Sequence, residues 1–212
     1  MALGLSTETT NSEDFLGYVQ YDARAGRFFK PNRTQDGNGE WQTDKEEITN
    51  GFTAVMDLEN ITVGWILYNT GAAPSYTMVK LGEPLPPKPS DKHKQGFLME
   101  LKLGKAFGSE HRTFSHTAKV VLGPIDELHT AYEAGKKDNP GKLPVVTLVK
   151  TTSITSGSGD KKSTNYSPIF QIDKWVDRPA ELGGKGVDAQ KEEPKPEPKP
   201  VASATSDDNE EF

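Results

Sequence analysis

Aromatic rings interleaved with basic side chains are the residues of this sequence best suited to chemistry. The densest run spans residues 92–114, and smaller clusters lie at residues 27–30 and at Tyr68, Tyr76 and Lys80. Rings stack on unpaired bases while cations contact phosphates, so this mixture is typical of a groove for single-stranded nucleic acid. The candidate binding residues are Phe28, Phe29, Tyr76, Lys92, Lys94, Lys102, Lys105, Phe107, Arg112, Phe114, Lys161, Lys162 and Tyr166.

Each ring also has a structural interpretation, because one side of a β-strand normally faces the core. On this interpretation, rings in the most regular strand patterns are expected to be core residues: Phe52, Trp65, Phe97 and Phe170. Other rings lie closer to predicted loops, and for them both roles stay open: Phe28, Phe29, Tyr76, Phe107 and Phe114.

No catalytic or metal-binding motif is found in the sequence. It contains 4 His and 0 Cys, which excludes thiolate zinc sites and cysteine nucleophiles. His111 and His116 have the odd spacing that places two residues on opposite faces of a strand. The segment 157–163 lacks the G-x-x-x-x-G-K-[ST] spacing of a phosphate-binding loop. We therefore expect a protein that is not an enzyme and that uses no metal or cofactor.

The formal net charge of −6 hides an uneven distribution of charged residues. Residues 80–119 hold 8 basic and 4 acidic side chains, whereas residues 181–212 hold 4 basic and 9 acidic ones. An acidic chain can still bind nucleic acid when its acidic residues are concentrated in a tail. The basic middle of the chain is thus the expected binding region.

The C-terminal segment 181–212 has the composition of a disordered tail. Leu, Ile, Val and Phe account for 4 of its residues, too few to offset the entropy that a chain loses on folding. Its tip resembles a short docking peptide, in which a ring fills a pocket and carboxylates meet a basic rim. The expected partner-docking residues are Asp207, Asp208, Glu210, Glu211 and Phe212.

The order of the predicted elements indicates a mainly β fold with one helix. Strands are expected within 17–29, 51–58, 61–68, 76–81, 97–103, 113–122, 143–152 and 167–175, and a helix from Pro124 to Lys137. Three strands, one helix and two strands is the order of an OB-fold, a five-stranded Greek-key barrel, here with extra N-terminal strands. Residues 153–166 would be the long loop between its strands 4 and 5. A different antiparallel barrel or sandwich fits the same pattern.

This pattern divides the chain into a mobile N-terminus (1–14), an OB-fold domain (15–180) and a disordered Gly/Pro-rich linker with an acidic tail (181–212). No apolar run approaches the roughly 18 residues of a membrane-spanning helix. The first residues also lack the basic and long apolar regions of a secretory signal. We therefore expect a cytoplasmic protein without a membrane partner.

Two stretches resemble the phage-encoded single-stranded DNA-binding proteins. One is the segment 165–179, NYSPIFQIDKWVDRP, and the other is the C-terminal hexapeptide DDNEEF. The resemblance implies an OB-fold, binding of single-stranded DNA without sequence specificity, and a tail that recruits proteins of phage DNA replication, recombination or repair. It also implies residence in the host cytoplasm. Without Cys the chain would be a metal-free type, and no base-stacking residue is transferred from the family.

Two other interpretations stay open. An OB-like or β-sandwich interaction protein of a phage would show the same strand pattern without binding nucleic acid. An enzyme such as a nuclease is disfavoured because no acidic pair lies on a predicted rigid element. Whether the chain forms a homo-oligomer is also open.

Overall fold

The computed structural model describes residues 16–69, 73–158 and 162–183. Within these residues the chain folds into ten strands and one α-helix, which confirms the mainly β class. The strands are β1 Gly17–Asp22, β2 Arg27–Gln35, β3 Trp41–Glu47, β4 Thr53–Met56, β5 Thr62–Leu67, β6 Ser75–Lys80, β7 Lys94–Leu103, β8 His111–His116, β9 Lys142–Ser156 and β10 Ser163–Asp177. The helix α1, Lys119–Lys136, connects β8 to β9.

All ten strands belong to one mixed sheet. Its order is β10-β9-β4-β7-β8-β1-β2-β3, while β5 pairs with β7 and β6 pairs with β5. The pair β1–β8 is parallel, and the remaining pairs are antiparallel. The strand order begins at β10 and ends at β3, so the described sheet is open and its closure into an OB barrel stays a prediction.

The side chains of the central strand β7 point alternately to the two sides of the sheet, and large apolar residues fill one of these sides. Phe97 and Leu101 point to the same side and are 3% and 0% exposed, and we call this side the inner face. On it Phe28 stacks on Phe52, with 4.4 Å between ring centroids. Phe97 meets Phe114 edge-on at 5.3 Å. The expected core positions of Phe52 and Phe97 are therefore confirmed, and this aromatic cluster holds β2, β4, β7 and β8 together.

The helix α1 begins at Lys119, ahead of the expected start at Pro124, and the strand expected over 113–122 ends at His116. A proline inside a helix removes the N–H that would bond to the carbonyl four residues earlier, here that of Val120. The hydroxyl of Ser167 donates to this carbonyl oxygen instead, at 2.8 Å. A donor from β10 thus lets the helix extend on the N-terminal side of its proline. No helix of the described residues is long and apolar enough to cross a membrane.

The hairpin of β9 and β10 is longer than the sequence pattern predicts. Its two strands have 15 residues each, and their pairing continues until Ser156 lies opposite Ser163. The prediction of a long loop over 153–166 is therefore wrong. β-Branched residues favour strands and interact across them, and the hydroxyls of Thr155 and Thr164 share a hydrogen bond of 3.1 Å.

The folded region extends past the expected boundary at residue 180. A short 3-10 helix, Ala180–Leu182, follows β10, and Leu182 is fully buried. The guanidinium of Arg178 donates to the carboxylate of Asp57 and to the carbonyl of Leu182, each at 2.8 Å. These contacts attach the segment through Gly183 to the sheet. The rest of the expected tail, with its docking residues, lies outside the described residues, as does the expected mobile N-terminus.

Candidate nucleic-acid interface

The sheet has a second side, which we call the outer face. On β7 this is the side of Lys94, Glu100 and Lys102, which alternates with the side of Phe97 and Leu101. The registers of β7 with β5 and β8, of β5 with β6, and of β1 with β8 and β2 extend it to the neighbouring strands. The outer face includes Tyr18, Gln20, Phe29, Tyr68, Tyr76, Lys80, Lys94, Glu100, Lys102, His111, Thr113 and Ser115. Ile66 and Leu98 lie on the same side and are buried.

Tyrosine rings are the most prominent feature of the outer face. Tyr18 is 44% exposed and Tyr68 is 48% exposed. The hydroxyls of Tyr68 and Tyr76 both share hydrogen bonds with Ser115 Oγ, at 3.0 and 3.3 Å. Desolvation of its hydroxyl raises the pKa of Tyr68 to about 12. Each of these two rings is therefore fixed at its polar end, and such preorganisation lowers the entropic cost of stacking a base on it.

Basic side chains flank these rings. Lys80 and Lys94 are exposed, and within the described part of the chain neither forms an ion pair. Lys102 is paired with Glu181 at 2.7 Å. The carboxylate of Glu100 contacts His111 Nε2 at 2.9 Å. That of Glu47, opposite Phe29, is paired with Arg27 at 3.0 Å. The acidic groups at this surface thus have partners, while two lysines stay available for phosphates.

The Pro-rich segment 81–93 connects β6 to β7 and carries Lys92, which is exposed. The indole N–H of Trp65 donates to the carbonyl of Pro86 at 2.8 Å. Lys88 Nζ lies 5.7 Å from the centre of the indole ring. Trp65 is therefore half-buried beneath this segment and is not a residue of the central core, contrary to expectation. Phe170 is partly buried against the core.

Phe28 and Phe114 require a correction, because both are fully buried. Their rings lie 5.8 Å apart within the inner-face cluster and cannot reach a base without unfolding the sheet. Phe107 is half-buried and packs against the same core. Among the predicted aromatic residues, Phe29 and Tyr76 are the two that lie on the outer face.

Arg112 also requires a correction, because its side chain is buried and binds protein atoms. It donates to the backbone carbonyls of Tyr18 and Pro31 at 3.1 and 2.8 Å. It also donates to Asn32 Oδ1 at 2.6 Å and to the carboxylate of Glu110. Arg112 therefore joins β8 to β1 and β2 and is not available for phosphate.

Three further predicted residues lie apart from the outer face. Lys105 is exposed in the 3-10 helix Lys105–Phe107, and Lys162 is exposed immediately before β10. Tyr166 is held against the turn after β1, where its N–H donates to the carbonyl of Ala23 at 2.6 Å. Its carbonyl accepts a hydrogen bond of 2.9 Å from the hydroxyl of Tyr21. The last predicted residue, Lys161, lies outside the described residues.

The sequence prediction missed Tyr18 and left Tyr68 and Lys80 out of its binding set. Tyr68 and Lys80 had a signal, because they form an aromatic–basic cluster with Tyr76. The sequence signal for Tyr18 was weaker. It precedes Val19 in a strand, and a strict alternation places it on the side opposite to Val19 and Tyr21, which are buried.

A groove on another surface offers a competing site. It has a volume of about 460 Å³ and lies between α1 and β10. Leu128, Phe170 and Trp175 contribute apolar surface to it, and Glu127 is the one charged residue in its lining. A groove with an acidic and no basic side chain does not suit a polyanion.

No known family, curated protein or solved structure matches this chain. In the described residues, no three His, Cys, Asp or Glu side chains lie close enough together to hold a metal ion. The chemistry of the outer face therefore has to be judged from its own geometry. That geometry offers ring faces, hydroxyls and ammonium groups on one continuous surface.

Proposed function

We propose that this protein binds single-stranded DNA without sequence specificity along the outer face. One observation carries the proposal: the exposed rings of Tyr18 and Tyr68, the latter tethered through its hydroxyl, lie on the same surface as two lysines that form no ion pair within the described residues. Every base has a face that can stack on a ring, whereas base-specific recognition needs directed hydrogen bonds. Rings next to cations therefore favour binding that tolerates any sequence.

The proposal includes an OB-type barrel as the scaffold. The strands β4–β5, β7 and β8 precede α1, and β9 and β10 follow it, which is the order of the OB-fold. Two hydrogen bonds connect Tyr166 of β10 to Tyr21 and Ala23, at the far side of the sheet. Gly26 lies so close that an added Cβ would be 2.9 Å from Tyr166 Cβ. These contacts support a sheet that curls towards closure, with β1–β3 as N-terminal additions.

The biological part of the proposal is a role in phage DNA replication, recombination or repair. The bound protein would protect single strands, and the C-terminal carboxylates with Phe212 would recruit partner proteins. Support for this part comes from the sequence, through its resemblance to phage single-stranded DNA-binding proteins and the composition of its last six residues.

The test is fluorescence anisotropy with a labelled oligothymidylate of about 20 nucleotides, longer than the span of a single OB-fold. Tyr18→Ala and Tyr68→Ala should each raise Kd about 5- to 150-fold, since one stacked base is worth about 1–3 kcal/mol. Tyr68→Phe keeps the ring and should retain most of the affinity. Lys94→Ala should reduce the slope of log K against log salt by about 0.7.

Matched controls lie on other surfaces. Ile169→Ala, at the groove between α1 and β10, and Lys137→Ala, after the end of α1, should leave the Kd unchanged. A chain ending at Gly183 should bind the oligonucleotide at least as tightly as the full chain, since the removed segment is acidic. If the wild-type protein does not bind the oligonucleotide at low salt, the proposal is wrong and the phage interaction or structural role is favoured.

A further inference from the structure

A two-stranded arm extends the sheet beyond the outer face. It consists of residues 32–35 of β2 and the whole of β3, and among the described strands β3 pairs with β2 alone. All seven residues of β3 are exposed. The arm therefore has no core of its own, and its side chains are free to serve a purpose other than packing.

The two sides of the arm carry opposite charge. The register of β2 with β3 places Arg33, Trp41 and Lys45 on one side and Asp44 and Glu46 on the other. Glu47 also lies on the side of Trp41, where its carboxylate is paired with Arg27 at 3.0 Å. Such a segregation is not needed for solubility, which mixed charges on both sides would supply equally well. One side of the arm suits a polyanion, and the other repels it.

Trp41 is the most exposed aromatic residue of the described chain, at 54%. The guanidinium of Arg33 lies 4.9 Å from the centre of its ring. A cation over one ring face orients the indole, and the exposed fraction shows that much of the ring stays open to solvent. An aromatic ring next to a cation, with Lys45 further along the same side of β3, is the combination that suits single-stranded nucleic acid.

The basic side of the arm is continuous with the outer face. Phe29 of β2 lies opposite Gln20 of β1, and Tyr18 is the next outer residue of β1. Along β2, the same alternation that places Phe29 on this side also places Arg33 there. A strand of DNA lying on the tyrosines can therefore continue past Phe29, and past the Arg27–Glu47 ion pair beside it, onto the arm without crossing to the other side of the sheet.

We propose that the arm is an additional subsite for single-stranded DNA, in which Trp41 stacks on a base while Arg33 and Lys45 contact phosphates. This inference rests on the proposed function and makes it more specific. It says that the bound strand leaves the outer face at Phe29, and that the arm lengthens the binding path. It predicts that the contribution of Trp41 depends on the length of the bound oligonucleotide.

The experiment measures Kd for a series of oligothymidylates of increasing length. For short oligonucleotides that the outer face alone accommodates, Trp41→Ala should match the wild type. For longer ones it should raise Kd about 5- to 150-fold, the loss expected for one stacked base. Gln42→Ala, the neighbouring residue on the other side of β3, is the matched control and should have no effect at any length. Thermal unfolding of both variants should match the wild type because neither residue packs in the core.

The outcomes separate the two proposals. Equal affinity of Trp41→Ala and wild type at every length overturns the arm subsite while leaving the binding function intact. Absence of binding by the wild type overturns both. If Trp41→Ala changes only the sedimentation behaviour of the free protein, the arm is a protein–protein interface and the inference is wrong.

Discussion

At the scale of single residues, a buried ionic network supports the outer face from below. Lys30 and Arg112 are each 6% exposed, and both contact Glu110. Burying a cation is unfavourable unless it is paired and hydrogen-bonded, and here carboxylates and backbone carbonyls supply the partners. Since Arg112 also binds the carbonyl of Tyr18, the network fixes the backbone on which an outer-face ring stands.

The same network predicts a pH dependence of stability. Burial of Glu110 opposes its ionisation, but hydrogen bonds from Lys30 and Arg112 outweigh that effect and hold the pKa of this carboxyl below its ordinary value. A carboxyl with a lowered folded-state pKa contributes stability that is complete above its unfolded pKa and lost as the pH falls through the folded one. Its contribution should therefore be complete at pH 7 and should diminish below about pH 4.5.

Urea unfolding of the wild type and Glu110→Gln at a series of pH values measures this contribution. At pH 7 the variant should be less stable by on the order of 1 kcal/mol, a modest figure because Glu110 is partly exposed. The difference should shrink as the pH falls from 5 towards 3. A difference that stays constant over this range would show that Glu110 stabilises the fold without its charge.

At the scale of elements, the regular strands were predictable from the sequence, whereas the features that depend on contacts between distant segments were not. The alternation of Phe52, Ala54, Met56 and Leu58 predicted β4 and its buried side, and all four residues are buried. Which side of β2 is buried depends on contacts with β4 and β8, more than twenty residues away along the chain. Local sequence therefore could not decide that Phe28 belongs to the core.

The start of α1 illustrates the same limit. Pro124 predicted a helix N-terminus because proline is favoured in the first turn. The donor that compensates for it, Ser167, lies in β10, and no local pattern connects the two. The candidate site was only partly predictable, because it also depends on long-range pairing. Residue types indicated Tyr76 and Lys94. The strand registers decided that Tyr18 lies on the same face as these two residues and that Arg112 does not.

A double-mutant cycle tests the role of Ser167. Ser167→Ala removes the donor to the Val120 carbonyl and should cost about 1–2 kcal/mol of stability, because an acceptor in a partly buried site loses its partner. In a Pro124→Ala background the backbone N–H of residue 124 is available again, so the same substitution should cost clearly less. Thermal or urea unfolding of the four proteins gives the coupling. Equal costs in both backgrounds would show that Ser167 does not compensate for the proline.

At the scale of the whole molecule, charge and shape divide the surface into regions with different uses. The outer face and the basic side of the arm combine rings with cations, whereas the groove between α1 and β10 is apolar with one carboxylate. The described chain ends at Gly183, next to Glu181, whose carboxylate is paired with Lys102 of the outer face. A truncation after residue 180 would remove both this ion pair and the buried Leu182, so a tail deletion is better placed after Gly183.

The location of the binding surface is the central claim, and amide chemical shifts during titration with oligothymidylate test it most directly. We predict that the largest shift changes occur at Tyr18, Phe29, Tyr68, Tyr76 and Lys94, with small changes along α1. Changes concentrated at the groove between α1 and β10, or no changes at a saturating concentration of the oligonucleotide, would contradict the account.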